Sequence, residues 1–335
     1  MRNTVSTTLT ATGVSICEAT DSGVQGKQSE VIRDWPSRHS KIGTNDKVPS
    51  EIAYLPGGIE WGANIAPNAQ REMWTKLQLD RPQTGEAGRI LRELSSNTQG
   101  PRRRPVDIIA DFLERVRDHL ITNLDNQYGP ELWRTLPITL VVTVPAVWSD
   151  LAKARTMQAV NQAGFNSVRL PNLKHILTTT EPEAAAIYTI KTLRGGAQDD
   201  QLVVGDGLIV CDMGGGTVDL ISYKVSKLQP TMVQEATVGN GDQCGGTFVD
   251  RAFFVWLQNK LGIEDFKKIS GESLAADIPR TSISPKLGRM LSDFIVEAKN
   301  GFSGKQDNYL RLPHPPSSLD DDARGICNGE IEITS

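Results

Sequence analysis

The sequence predicts an α/β layered protein of two lobes with a cleft between them. Three observations carry this. Apolar runs of strand length alternate with helical patterns through the middle of the chain, the order that builds a sheet covered by helices. A second set of strands and helices follows a polar break near residues 195–205. The chain has 335 residues with 38% hydrophobic and 23% charged content, ample for a large core and suggestive of about two domains. The expected division is residues 1–195 for the first lobe and 196–335 for the second.

Residues 1–60 read as short strands and loops, with "EIAY" closed by a Pro-Gly-Gly turn. Residues 81–105 read as a polar connector ending in "GPRRRP", where Arg102, Arg103 and Arg104 suit either a solvated loop or an anion contact. A helix follows. Val106, Ile109, Leu113, Val116, Leu120 and Leu124 recur at spacings of three and four, which places them on one face. His119 on that helix reads as solvent-facing or structural.

"PITLVVTVP" is a continuous β-branched run that suits a strand buried on both faces and ended by Pro145. In "SDLAKARTMQAVNQAG", Ser149 is a natural N-cap, Asp150 suits the first turn and Gly164 the C-terminal stop. "HILTTTEPEAAAIYTIKTL" repeats strand and helix, with Thr180 and Glu183 at capping-box spacing and Pro182 in the first turn. After the loop "QDDQ" comes "LIVCDMGGGTVDLISYKV", then the strand "TMVQEATVG" and the turn "NGDQCGG". A helix is expected from about Phe248 to Leu261, with Thr247 and Asp250 at capping-box spacing. Helical pieces, the amphipathic helix "LGRMLSDFIVEAKNGFSG" and strands interrupted by "HPPSSLDDDARG" complete the chain.

The formal net charge of −4 gives no basic field that would advertise nucleic acid as a partner. The four cysteines are scattered and no C-x-x-C pair occurs, which indicates neither a zinc site nor a disulfide framework. Reduced thiols and a cytoplasmic location are the expectation. No apolar run is long enough to span a bilayer, so no membrane partner is expected. The N-terminal stretch is rich in Thr and Ser but has a single early arginine and no apolar h-region.

The chemistry concentrates in "VCDMGGGTVD". Gly214, Gly215 and Gly216 let backbone approach a ligand closely, successive N–H groups can form an anion-binding concavity, and Thr217 adds a hydroxyl. Asp212 and Asp219 flank the turn, and bare carboxylates repel phosphate. A divalent cation resolves the conflict, because Mg²⁺ takes one or two carboxylates together with phosphate oxygens. The stretch therefore suggests Mg²⁺–nucleotide binding; a tight hairpin turn with a structural aspartate is the other reading. No G-x-x-x-x-G-K-[ST] occurs, and "GNGDQCGG" misses the dinucleotide spacing by one residue.

"LIVCDMGGGTVDLISYKV" resembles the second phosphate hairpin of the seventy-kilodalton heat-shock (DnaK-type) chaperone family, whose fold is the two-lobed actin-like ATPase (ribonuclease-H-like) α/β fold. Other motifs agree in order. "ITLVVTVPAVWSDLAKARTMQAVNQAGF" is similar to the family's "TVPA" segment, "TTTEPEAAAIY" to "NEPTAAAIAY", and "GNGDQCGGTFVDR" to "GD…GG…D". "DWP", "KVPSEIAYLPGG" and "WG" resemble the family's divergent fungal-type branch. The resemblance runs from about residue 31 to the end.

The resemblance implies ATP and Mg²⁺ as cofactors, co-chaperones or nucleotide-exchange factors as partners, and ATP hydrolysis to ADP and phosphate. It implies phosphate contacts from Gly214, Gly215, Gly216 and Thr217, and a magnesium-water role for Asp212 with Asp219 as second acid. Glu181 matches the glutamate that organises metal and water, Lys76 the lysine near the γ-phosphate, and Pro145 the proline that couples the lobes. Gly245 and Gly246 match a glycine pair near the nucleotide, and Lys299 and Ser303 match adenosine-side positions. Asn300 stands where the family has a base-stacking arginine, a contact asparagine cannot make. The N-terminal "NTVSTTLTATGVSICEA" departs from the family's first phosphate hairpin. Thr7, Thr8, Gly13 and Val14 are a scrambled echo, with no acid before them and no apolar strand leading in. The last glycine-rich adenosine motif is not reached before Ser335, so the second lobe is expected to be incomplete. Three functions stay open: an ATPase domain of chaperone type, a degenerate interaction module, and a metabolite kinase on the same superfold.

Overall fold

A computed structural model of the chain describes residues 2–7 (backbone), 11–18, 29–38, 46–80, 88, 92, 103–146, 148–194, 202–215, 217–242, 244–279 and 281–334. Thr8, Arg102, Gly216, the "QDDQ" loop and most of the 81–105 connector lie outside the described residues. The chain divides into two compact units. The first comprises 1–64 and 72–245, the second 65–71 and 246–335. The break expected near residues 195–205 falls inside the first unit, so the glycine hairpin and the first sheet belong to one body.

The first unit is built on a sheet of order β3-β2-β1-β7-β8. Its strands are β1 (Arg2–Thr7), β2 (Ala11–Cys17), β3 (Glu30–Val31), β7 (Ile138–Val144) and β8 (Leu173–Thr180), with β4 (Val48–Pro49) also pairing β2. β5 (Ile52–Leu55) and β6 (Gly58–Trp61) form the hairpin expected around the Pro-Gly-Gly turn. β1 pairs β2 antiparallel and β7 parallel, and β7 pairs β8 parallel. The N-terminal segment is thus strand on both sides of residues 8–10, which lie outside the described residues, and β1 is not apolar, as the sequence reads. β1 lacks an apolar signature because its place is secured by ladders on both edges, which override propensity.

Parallel neighbours need crossovers, and helices supply them. α1 (Pro105–Tyr128) joins the β1 side to β7, and α2 (Asp150–Gln162) joins β7 to β8. Leu113, Val116, Leu120 and Leu124 of α1 are buried as their spacing predicts, with Ile108 and Phe112 beside them. They pack with Val14, Leu140, Val142, Ala159 and Phe165 into the main core. Each such side chain stabilises the fold by roughly 1.5–3 kcal/mol before entropy is counted. Ser149 caps α2, accepting from the Ala152 N–H at 3.3 Å. Gly164 turns the chain at φ +78, and a Cβ there would lie 2.3 Å from the Arg117 guanidinium. His119 is structural: it stacks on Trp35 at 5.0 Å and meets Asp34 at 3.2 Å. Arg103 lies over the Tyr54 ring at 4.1 Å and Arg104 pairs with Asp107 at 2.7 Å, so these two arginines are held by neighbours on the chain.

Also in the first unit, β9 (Gly207–Met213), β10 (Val218–Leu228) and β11 (Thr231–Asp242) form an antiparallel sheet of order β11-β10-β9. α3 (Glu181–Arg194) leads into it, burying Ala186 with Ile221 and Tyr223. β11 runs through Asp242, so "NGD" is strand where a turn was expected. The cause is β10: Asp219 and Leu220 pair with Gly241 and Asn240.

The second unit holds α4 (Gly246–Leu261), α5 (Ile263–Ser270), α6 (Pro285–Asp293) and a sheet of order β12-β14-β13 (Asn308–Arg311, Glu330–Ile333, Ile326–Cys327). Phe253, Leu257, Phe266, Leu287 and Ile331 are among its core residues. The helix expected over 287–304 is α6 followed by a π-helical turn, Phe294–Lys299. α4 begins at Gly246, one residue before the expected cap Thr247. The Asp250 carboxylate accepts from Lys299. Among the described residues no helix is long and apolar enough to cross a membrane.

Candidate functional site

The site is assembled at the tip of the β9–β10 hairpin. The Gly214 N–H donates to the Thr217 carbonyl at 2.9 Å and closes the turn. In this register Asp212 stands directly opposite Asp219. Residues opposite one another in an antiparallel pair share a face, and like charges so placed repel. The Thr217 hydroxyl donates to Asp219 Oδ2 at 3.0 Å. Burial pushes the Asp219 pKa up and Asp212 adds to this, against the Thr217 bond and Lys76.

Two glycines outside the hairpin make room for it. Gly241 faces Asp219, and a Cβ there would lie 2.1 Å from Asp219 Oδ1. A Cβ on Gly245 would lie 2.6 Å from the Gly214 carbonyl oxygen and from Gly215 backbone. The segment after β11 therefore packs directly on the turn, and only a residue without a side chain fits.

Glu181 enters from the junction of β8 and α3. The Thr180 hydroxyl accepts from the Glu183 N–H at 3.3 Å, the expected cap. The Glu183 carboxylate turns to the Thr179 hydroxyl at 2.8 Å. Glu181 Oε1 accepts from Lys76 Nζ at 2.6 Å, and the two side chains are 11% and 9% exposed. Burial pushes the Glu181 pKa up, Lys76 pulls it down, and Asp212 and Asp219 push it further up. Lys76 rides on a 3₁₀ turn, Thr75–Leu79, entered through Trp74 in left-handed conformation at φ 55. Pro145 is buried at the end of β7.

The structure thus brings together Lys76, Glu181, Asp212, Asp219, Thr217, Gly214, Gly215 and Gly245, all in the first unit. Gly216 lies outside the described residues. Lys76 acts on Glu181 and Asp219, Asp212 acts on both of these carboxylates, and burial discourages leaving that negative charge uncompensated. Among the described residues the three carboxylates do not bring their oxygens all within 4.8 Å of one another, so they suit a hydrated divalent cation held through water rather than one ligated by all three.

Gly246, Lys299 and Ser303 belong to the second unit. Lys299 Nζ donates to the Gly246 carbonyl at 2.8 Å and to Asp250 Oδ1 at 2.7 Å, tying down the first turn of α4. Ser303 is exposed and accepts from the Lys305 N–H at 3.3 Å. Sequence reasoning missed Gly241, which a glycine inside a strand could have flagged as a close approach. It also missed Trp148, whose ring lies 5.2 Å from Lys76 Nζ; nothing in the linear sequence marks that contact.

The parallel crossovers of the first sheet, the hairpin-led second sheet and the carboxylate–glycine turn define an α/β fold of the actin-like, ribonuclease-H-like class. The family model described as "Hsp70 protein" matches residues 89–302, well over half of the chain. The chain belongs to this family. Human heat shock 70 kDa protein 12A is 24% identical over 296 residues, which cover 71% of this chain and 43% of that protein. A chaperone protein HscA homolog of Acinetobacter baumannii (strain AYE) is 28% identical over 167 residues, covering 50% of this chain and 23% of its own. The chain thus spans less than half the length of these relatives. Among solved structures, MreB5 of Spiroplasma citri bound to ADP is 12% identical, covering 99% of this chain and 71% of that one, at a TM-score of 0.48. The MamK double helical filament is 14% identical at a TM-score of 0.35, covering 77% and 59%.

Proposed function

We propose that the chain binds ATP with Mg²⁺ at the β9–β10 tip and hydrolyses it slowly to ADP and phosphate. The observation that supports this most is the meeting of Lys76, Glu181, Asp212 and Asp219 beside the glycine turn. In this reading Asp212 holds the metal through its bound water, and Glu181 and Asp219 accept hydrogen bonds from its outer shell. When bound, Mg²⁺ supplies charge neutralisation for the phosphates. The backbone N–H groups of Gly215 and Gly216 bind phosphate oxygens, Gly214 shapes the turn beneath them through its bond to the Thr217 carbonyl, and the Thr217 hydroxyl turns from Asp219 to the phosphate when nucleotide enters. Lys76, held by Glu181, presents its ammonium to the γ-phosphate, and Gly245 supports the turn from behind. The family resemblance assigns Lys299 and Ser303 to nucleoside contacts; within the second unit Lys299 fixes the start of α4 at Gly246. Catalysis of this kind is positioning plus electrostatics, which is what a buried, charge-dense cluster provides.

A second reading, nucleotide binding without turnover, is favoured by one feature: residues 1–17, which span the β1–β2 hairpin, contain no Asp or Glu. A cytoplasmic site of action, with co-chaperones or nucleotide-exchange factors as partners, belongs to the same proposal. The test is thermal unfolding at millimolar nucleotide, followed by phosphate release. Binding requires a Mg²⁺-dependent rise in melting temperature that Asp212→Ala abolishes. Phosphate release above the Asp212→Ala background selects turnover over binding alone. No shift with any nucleotide rejects both readings.

A further inference from the structure

The residue whose location needs most explanation is Lys76. Its turn, Thr75–Leu79, is a single stretch of 3₁₀ helix, a form with poor hydrogen-bond geometry that is rarely self-sufficient. Its side chain is a four-carbon stem with many rotamers. Yet both backbone and ammonium are buried.

One segment supplies the restraint. The Ser149 hydroxyl donates to Asp80 Oδ1 at 2.6 Å, just past the turn, while also capping α2. Six residues on, Arg155 Nη1 donates to the Leu79 carbonyl at 2.7 Å. Between them Leu79, Val144, Trp148 and Ala152 form a small buried cluster of their own. The Trp148 ring, 8% exposed, lies 5.2 Å from Lys76 Nζ, and Glu181 Oε1 lies 2.6 Å from the same nitrogen. A ring face attracts a cation, more strongly where water is excluded. The ammonium is therefore held by a carboxylate and an aromatic face, and the backbone beneath it is bolted to α2.

We propose that Trp148, backed by the Ser149–Asp80 bond, is a positioning residue that fixes Lys76 beside Glu181. Its role in catalysis rests on the nucleotide reading above; its hold on Lys76 does not. Trp148→Phe keeps an aromatic face, and Trp148→Leu keeps an apolar side chain without one. The first measurement is the rate at which an amine reagent, acetic anhydride, labels Lys76 in the folded full chain, read by peptide mass spectrometry. The Leu variant is expected to label about tenfold faster than the parent, the size of a mid-range cation–π contact. The Phe variant is expected to stay within about threefold. Equal labelling of the Phe and Leu variants, or no change in either, overturns the proposal.

Ser149→Gly keeps a usable helix cap but loses the Asp80 bond, and labels Lys76 several-fold faster. It serves if the Leu variant does not fold, and an unchanged rate in this variant also counts against the proposal. The second measurement is phosphate release with Mg·ATP: kcat falls about tenfold in the Leu variant with KM unchanged and returns in the Phe variant. Accelerated labelling in a chain that hydrolyses nothing leaves Trp148 as the brace and removes the catalytic reading. Hydrolysis with unchanged labelling removes the brace and leaves that reading intact.

Discussion

Gly245→Ala tests the packing that supports the glycine turn. A Cβ at this position would sit 2.6 Å from the Gly214 carbonyl oxygen and from Gly215 backbone atoms. These are backbone neighbours with no rotamer to change, so the turn itself must move by about 0.6 Å or more to restore contact distance. Overpacking of this kind costs about 1–3 kcal/mol. For a unit of this size that lowers the melting temperature by roughly 2–12 °C. The displaced atoms belong to the turn proposed to bind phosphate, and misplacement approaching 1 Å costs up to about a hundredfold in function. Gly207→Ala is the control. It lies in the same sheet with nothing within 4 Å of its added Cβ, and its effect stays within about 0.5 kcal/mol. Thermal unfolding and Mg·ATP titration of both variants read the two effects. If Gly245→Ala is as benign as Gly207→Ala in both assays, the close approach of residue 245 to the hairpin is wrong.

Three further outcomes follow from the same geometry. Gly241→Ala drives the Asp219 carboxylate off its place, because the new Cβ would lie 2.1 Å from Oδ1; a side chain can rotate away, so stability falls by only about 1 kcal/mol while Mg²⁺-dependent stabilisation is lost. Lys299→Met leaves Asp250 and the Gly246 carbonyl without their shared donor; it costs about 1.5–3 kcal/mol, read as faster amide exchange in the first turn of α4. Asp125 is held below the usual aspartate range by the Trp133 indole N–H and then by Arg134. A depressed folded-state pKa adds stability that is present above the unfolded value and lost as pH falls through the folded one. Asp125→Asn therefore lowers the melting temperature at pH 7, and the difference from the parent shrinks below about pH 4.

Much of the fold was legible because local signals agreed with tertiary demands. The heptad-like spacing of α1, the β-branched run of β7 and the Ser149 cap each survive into the structure. What was not legible depends on partners distant in sequence. β1 has too little apolar character to announce itself and is secured by β2 and β7. "NGD" carries a turn composition but is held extended by β10. Asp250 has cap spacing, and its carboxylate meets Lys299, 49 residues away. For the site, the aspartates and glycines of the hairpin were readable because their spacing is local. Lys76 and Glu181 were each singled out through family resemblance; their meeting, 105 residues apart, is given by the fold alone. The Trp148 face under Lys76 and the cleared space at Gly241 had no such guide.

The central claim is that this cluster with its glycine turn holds Mg²⁺ and nucleotide. Calorimetric titration of the folded chain with ATP, with and without magnesium, tests it most directly. Saturable binding in magnesium is expected, weakening at least tenfold in chelator and lost in Asp212→Ala. Absence of heat at millimolar ATP, or binding indifferent to both magnesium and Asp212, would contradict it.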